Sequence, residues 1–300
     1  MKKILIIVAG LIFVLSLALS SFIIFGINSS ISRNTSIVGY KYDNHENYKI
    51  GNAKIDKPIT SIDIDWITGN VVIIPADDNV LTIIEESKNV IESDHELRYM
   101  VDGSTLYIKY CKSDLKDNNL PIKDLTISIP SEYLLDEIDV DSISSFVKVD
   151  GIASRSFECN TISGAIQLSN SDISHKIAIE TTSGNIDVDN LSYLDSADIS
   201  TISGTISIDT KMIYKAEIDT TSGNAFIDVE EEFNEFEFES ISGNLDLILP
   251  QSLSCTLEFE SVSGDFSTNH PASINGKKYV FGTGENDYNI ESVSGDVRIR

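Results

Sequence analysis

Ala197-Asp198-Ile199-Ser200-Thr201-Ile202-Ser203-Gly204-Thr205-Ile206-Ser207-Ile208 returns 19 residues later as Ala216-Glu217-Ile218-Asp219-Thr220-Thr221-Ser222-Gly223-Asn224-Ala225-Phe226-Ile227. Seven Ser-Gly pairs mark this period, with glycines at 164, 184, 204, 223, 243, 264 and 295 and spacings of 20, 20, 19, 20, 21 and 31. Two weaker copies precede them, Ile67-Thr68-Gly69-Asn70 and Ile143-Ser144-Ser145-Phe146, the second with Ser145 in the glycine's place. A period near 20 residues is the mark of a stacked-repeat architecture.

Counted from each glycine (or Ser145) as zero, positions −7, −5, −2, +2 and +4 hold 42 apolar residues among 45, where the overall 41% hydrophobic content would give about 18. Positions −7 and −5 share one parity and −2, +2 and +4 the other. A straight strand cannot turn both sets to one core, so the chain is expected to bend between −3 and −2. Glycine close to that corner suits a positive φ or a close backbone approach. A further apolar residue at +9 or +10 (Ile173, Leu194, Ile213, Phe233, Leu253) would pin a third side. One coil alone leaves its apolar face in water, so only stacked neighbours make the structure stable. The reading is an all-β chain, a parallel β-solenoid of about 20-residue rungs, behind an N-terminal transmembrane helix.

Position −3 reads Thr161, Thr181, Thr201, Thr220, Ser240, Ser261 and Ser292, with Trp66 and Ser142 in the weaker copies. Stacked in register, these hydroxyls are expected to bond along a ladder and to satisfy the backbone at the corner. No base accompanies them, which argues against a row of nucleophiles. Residues Pro75 to Glu137 interrupt the repeat and read as an elaborated N-terminal cap. Residues 269 to 287 stretch the last spacing and read as a protruding loop. Asp296-Val297-Arg298-Ile299-Arg300 reads as the closing edge strand, its arginines discouraging further pairing.

Residues Ile4 to Ile27 form an uncharged apolar run of 24 residues behind Lys2 and Lys3, long enough to span a bilayer. A cleaved signal ending at Ala18-Leu19-Ser20 competes with an uncleaved anchor, but the run continues through Phe22 to Ile27. Either way the lysines stay inside and the rest is exported. The expected organisation is an anchor or signal segment at 1–29, a linker at 30–57, a β cap at 58–137 and solenoid repeats at 138–300. The location follows as single-pass in the cell membrane, with the C-terminal domain extracytoplasmic. The net charge of −25 argues against nucleic acid as a partner. Cys111, Cys159 and Cys255 are odd in number and far apart, so they read as small core residues rather than a disulfide framework.

An apolar anchor segment, then Ile64-Asp65-Trp66-Ile67-Thr68-Gly69-Asn70-Val71-Val72-Ile73-Ile74-Pro75, then serial Ser-Gly-(Asn/Asp) rungs, resembles the bacterial adhesin-like "toast-rack" family of β-solenoid domains over roughly residues 58 to 300. The resemblance implies a cell-envelope protein, tied in some relatives to envelope-stress systems. It carries no family site residues onto this chain.

No catalytic, cofactor-binding or metal site emerges from the residues. His45, His95, His175 and His270 are far apart, and His95 and His175 fall among polar residues and read as exposed. Nucleophile elbows, phosphate loops and dinucleotide fingerprints are absent. The strongest functional candidate is an acidic stripe, Glu180, Asp219, Glu239, Glu260 and Glu291 at −4 with Asp198, Glu217, Glu237 and Glu258 at −6. A solvated outer face explains it most simply, and Ca²⁺ coordination is the sharper alternative. A polysaccharide-acting β-helix enzyme would need long cleft loops, for which the regular spacing leaves no room. Phe236, Phe238 and Tyr288 occupy inward positions and read as core. The function expected is therefore non-enzymatic, an adhesin-like or envelope-stress-related binding scaffold held at the membrane. Its expected partner is an envelope protein or a cell-wall or surface polymer.

Overall fold

The computed structural model describes residues 40–116 and 119–300. The predicted transmembrane helix at Ile4 to Ile27 lies outside them, and among the described residues no helix is long and apolar enough to cross a membrane. Strands begin with β1 (Lys49–Ile50) and β2 (Ala53–Ile55), followed by the long β3 (Ser61–Pro75). The interrupting region holds β4 (Leu81–Glu86), β5 (Arg98–Asp102), β6 (Thr105–Lys109) and β7 (Asp124–Ile129), and the long β8 (Leu135–Asp150) closes it. Strands then come in pairs across each corner: β9 (Ala153–Thr161) and β10 (Ile166–Ser169), β11 (Asp172–Thr181) and β12 (Ile186–Leu191), β13 (Leu194–Thr201) and β14 (Ile206–Thr210). The pattern continues with β15 (Ile213–Thr220) and β16 (Ala225–Val229), β17 (Glu235–Ser240) and β18 (Leu245–Ile248), β19 (Cys255–Ser261) and β20 (Phe266–Thr268). A hairpin of β21 (Ala272–Asn275) and β22 (Lys278–Phe281) precedes β23 (Asn286–Ser292) and β24 (Val297–Ile299).

The first strand of each pair stacks in parallel into one sheet, here sheet A, and the second into sheet B. Strands β3 and β8 run through both. Positions −7, −5, +2 and +4 are buried in every coil except at Phe259, Phe266 and Thr268, which belong to one end of the stack. The connector residues Ile173, Leu194, Ile213, Phe233 and Leu253 are buried as well, forming the third side. All three cysteines are buried and unbridged.

Position −2 departs from expectation. From Ile143 onward it is half-buried, and at Val262 it is 63% exposed. The −3 hydroxyls are buried instead, apart from the half-buried Ser261 at one end of the stack, because the inward alternation −7, −5, −3 runs unbroken to a corner that spans −2 to +1. Thr161 Oγ1 is buried without a partner, whereas from Thr181 onward each hydroxyl accepts the amide of the glycine three residues later, at 2.9 Å for Gly184 and Gly204, 2.8 Å for Gly223 and Gly295, and 2.7 Å for Gly243 and Gly264. Without it a buried amide would be orphaned, at about 1–3 kcal/mol. Thr201→Val keeps the shape and removes the acceptor. It is expected to lower the melting temperature by roughly 4–8 °C, at about 2–4 °C per kcal/mol for a domain of this size, and calorimetry checks it.

Rung-to-rung bonds at the corner come from the flanking residues rather than from the −3 hydroxyls. Serine at −1 donates to the previous coil, as from Ser222 Oγ to the Ile202 carbonyl at 3.1 Å. The Asn or Asp at +1 accepts the next coil's amide: Asn224 Oδ1 takes Asn244 N at 3.0 Å and Asn244 Oδ1 takes Asp296 N at 2.8 Å. Glycine is required for approach, since a Cβ on Gly204 would stand 1.7 Å from the Gly184 carbonyl oxygen. The Ser-Gly-Asn signature is thus a stacking device.

The order of coils in space differs from their order in sequence. Strands β23 and β24 lie between β17/β18 and β19/β20. Residues 286–300 therefore form an inserted coil, not the closing edge expected for Asp296 to Arg300. Residues 269–287 are not a protruding loop either, because β22 pairs antiparallel with the outer edge of β19. The chain crosses β19 at Gly282 to Glu285, where Ser254 Oγ accepts the Thr283 amide at 3.2 Å.

The other end uses the same device. The coil β6/β7 lies outside β3, which is held between it and β8. Antiparallel β5 and β1 extend sheet A beyond β6, and β4 and β2 extend sheet B beyond β7. The stretch at 30–57 thus carries β1 and β2, and Tyr40 is buried with its hydroxyl accepting the Tyr110 amide. Among the described residues the four outermost strands (β1, β2, β20, β21) have two to four residues, which limits edge-to-edge association.

Beneath this cap lies a buried charge pair with no sequence signature. Lys123 is 1% exposed, pairs with Glu85 at 2.7 Å, donates to the carbonyls of His95 and Tyr110, and sits over the Trp66 and Tyr110 rings. A buried ammonium needs such satisfaction on every side. His95 belongs to this layer. It is 7% exposed rather than solvated as expected, because the Pro75 to Glu137 elaboration folds over it.

Candidate functional site

The outward positions of sheet A at −6 and −4 stack into two columns. In spatial order the first reads Asp63, Asp139, Glu158, Ala178, Asp198, Glu217, Glu237, Asn289, Glu258. The second reads Asp65, Asp141, Asn160, Glu180, Ser200, Asp219, Glu239, Glu291, Glu260. Coils stand about 4.8 Å apart, so like charges face one another along both columns.

Both caps neutralise the ends. Lys109, on the outermost coil, reaches Asp63 at 2.7 Å and Asp65 at 2.6 Å, bridging the two columns. Burial opposes its charge, yet the two carboxylates outweigh burial and hold the ammonium above its usual range. At the other end Lys277 pairs with Glu260 at 3.0 Å and Lys278 with Glu258 at 3.5 Å, both from the β22 hairpin strand or its turn. Between these ends, among the described residues, Asp139, Asp141, Glu158, Glu180, Asp198, Glu217, Asp219, Glu237, Glu239 and Glu291 form no ion pair. Lys215, at the flank, is engaged with Glu235 at 3.2 Å.

This unpaired middle shifts its own titration. Asp139 is pushed up to about 8 by burial first and then by Asp141, Glu158 and Asp63, and its Oδ1 has no hydrogen-bond partner. Asp219 rises to about 7 through burial and then Glu239 and Glu217. Asp141 rises to about 6 through burial, against a hydrogen bond from Asn160 Nδ2 at 3.1 Å. Glu180, Asp198, Glu217 and Glu239 move upward as well, again chiefly by burial. An approaching cation would reverse these shifts by favouring the charged forms.

The carboxylates spread along columns instead of converging. Among the described residues no group of three or more His, Cys, Asp or Glu side chains is arranged to hold a metal ion. His175 is exposed as expected and bonds Asp195 at 3.1 Å. Phe236, Phe238 and Tyr288 are core, the Tyr288 hydroxyl accepting the Phe233 amide at 3.1 Å.

Fold and face together define a parallel β-solenoid that displays a flat acidic surface with lysine-closed ends. The chain belongs to the Toastrack DUF4097 family, which it matches over residues 59–300, in agreement with the resemblance drawn from its rungs. Similar solved structures include a "putative cell adhesion protein" from Clostridium sporogenes, 12% identical over 84% of this chain and 99% of that one, TM-score 0.28. Others are a "putative adhesin" from Bacteroides fragilis (12% identical, 84% and 97%, TM-score 0.44) and a "putative lipid binding protein" from Parabacteroides distasonis (16%, 85% and 97%, TM-score 0.40). No curated protein matches the chain.

Proposed function

We propose that this protein is a non-enzymatic, adhesin-like recognition scaffold of the cell envelope, held at the membrane by Ile4 to Ile27 and presenting the acidic face of sheet A to a lysine-rich envelope protein. The observation that carries this reading is internal: Lys109 already seats an ammonium between a −6 and a −4 carboxylate, at 2.7 and 2.6 Å. The same carboxylate pair recurs without a lysine at Asp139/Asp141, Glu217/Asp219 and Glu237/Glu239. A flat, repetitive surface binds by distributed contacts, which suits a partner with several cationic side chains.

The test is fluorescence anisotropy of a labelled oligolysine against the full-length protein in neutral detergent. Affinity is expected to rise at least fivefold from pH 6 to pH 8.5, because Asp141, Asp219 and Asp139, raised to about 6, 7 and 8, give up their protons across that window. Asp139→Asn with Asp219→Asn should remove most of the pH dependence. Neutralising Asp187 and Asp209 on sheet B should leave it intact. Equal loss from both pairs would show non-specific charge attraction and sink the assignment of sheet A. Amine-bearing polymer that outcompetes oligolysine would redirect the partner to the cell surface.

A further inference from the structure

Among the described residues, Val90 and Ile122 are the two most exposed large hydrophobic side chains, at 94% and 70%. They lie on separate loops of the N-terminal cap but share one cleft of about 910 Å³, and Ser87 Oγ ties the loops by donating to the Ile122 carbonyl at 2.8 Å. Solvent contact of this kind costs free energy that a partner surface would recover. The same excursion of the outermost coil, described at residues 110–116 and 119–123 and tied across by Tyr110 donating its hydroxyl to the Pro121 carbonyl, also receives the incoming chain: the Asp114 amide donates to the Tyr40 carbonyl at 2.8 Å and the Tyr42 amide to Ser113 Oγ at 3.1 Å. Entry point and apolar cleft therefore sit together.

Only twelve residues, 28–39, separate Tyr40 from the end of the apolar run at Ile27. At most about 3.3–3.6 Å each, they keep the cap within about 43 Å of the bilayer if that run is the anchor. Charge is graded in the same direction. Residues 40–123 carry 10 basic and 15 acidic side chains, a net −5, whereas residues 124–300 carry 9 and 32, a net −23. The more acidic part is repelled from an anionic leaflet and the cap much less.

We infer that the cleft end of the N-terminal cap rests on the bilayer, with Val90 and Ile122 entering the headgroup region, so that the solenoid stands away from the membrane. This rests on the anchoring reading above. Two aliphatic side chains bind a membrane weakly on their own, but tethering raises their local concentration at the surface into the millimolar range. Lys88 at the cleft is outnumbered by Glu86, Glu92 and Asp124, so the contact is made by the two aliphatic side chains and not by charge.

The probe is an NBD fluorophore on Val90→Cys in the full-length protein, reconstituted in phosphatidylcholine vesicles carrying doxyl lipids. The native cysteines are at most 1% exposed, so labelling is confined to the new thiol. Ile274→Cys, on the opposite hairpin and about eleven strand spacings or ~53 Å away, is the reference. Quenching at position 90 is expected to exceed that at 274 at least threefold, with a blue-shifted emission. Quenching at 90 no greater than at 274, in protein that floats with vesicles, overturns the contact while leaving the anchor standing. Protein that fails to float overturns the anchor and the contact with it.

Discussion

Gly204→Ala is expected to cost about 4–6 kcal/mol, near the extreme for a single substitution, and to lower the melting temperature by roughly 10–20 °C at about 2–4 °C per kcal/mol. The methyl carbon would stand 1.7 Å from the Gly184 carbonyl oxygen and 3.0 Å from Thr201 Oγ1. Relief of the first overlap needs the corners to part by more than an ångström. Parallel ladders on both sides of the corner hold the coils together, β13 between β11 and β15 and β14 between β12 and β16, so that separation breaks bonds in two sheets. Neither backbone can give locally, which makes this an overpacking cost without the usual side-chain relaxation.

Gly276→Ala supplies the comparison. Its φ of +64° disfavours a side chain, but nothing lies within 4 Å of the new methyl. Left-handed strain alone is about 1–2 kcal/mol, a fall of a few degrees. Thermal melts of the two variants decide the matter. An equal or reversed order would show that conformation, and not the distance between coils, is what the corner glycine provides.

The repeat was legible because a coil reports its inside through alternation, and the −7, −5, +2 and +4 residues do line the core. What misled was the pair Thr201 and Ile202. Hydrophobicity places Ile202 inside and Thr201 out, whereas the buried amide of Gly204 needs an acceptor and draws the hydroxyl inward. The acidic columns were readable from their spacing in sequence. Their counter-charges were not, since Lys109, Lys277 and Lys278 reach them from segments outside the regular rungs. Lys123 and His95 gave no warning of burial, because a polar residue in an irregular region carries no period to read. Coil order was equally hidden: each coil bears the same edges, so its pattern does not say which neighbour it meets.

That degeneracy makes removal of residues 286–300 the most informative deletion. In a stack that followed the sequence, losing the last coil would fray one end and leave β19 and β20 bonded to β17 and β18. Here β19 and β20 bond only to β23 and β24 on their inner side, so they and the β21/β22 hairpin lose their support together. The inward Tyr288, Ile290, Val297 and Ile299 also leave, each contributing up to roughly 1.5–3 kcal/mol. Restacking β19 directly on β17 would put Leu257 where Tyr288 stands. Leucine is smaller than the ring it replaces beside Phe233 and Phe236, and offers no hydroxyl to the Phe233 amide. The expected result is a melting temperature lower by at least about 10 °C and rapid amide exchange throughout residues 255–268, with protection retained from β8 to β14. Persistent protection at 255–268 would mean that β19 and β20 find β17 and β18 unaided, and that the interleaved order is set by the Gly282 to Glu285 crossover and not by the inserted coil.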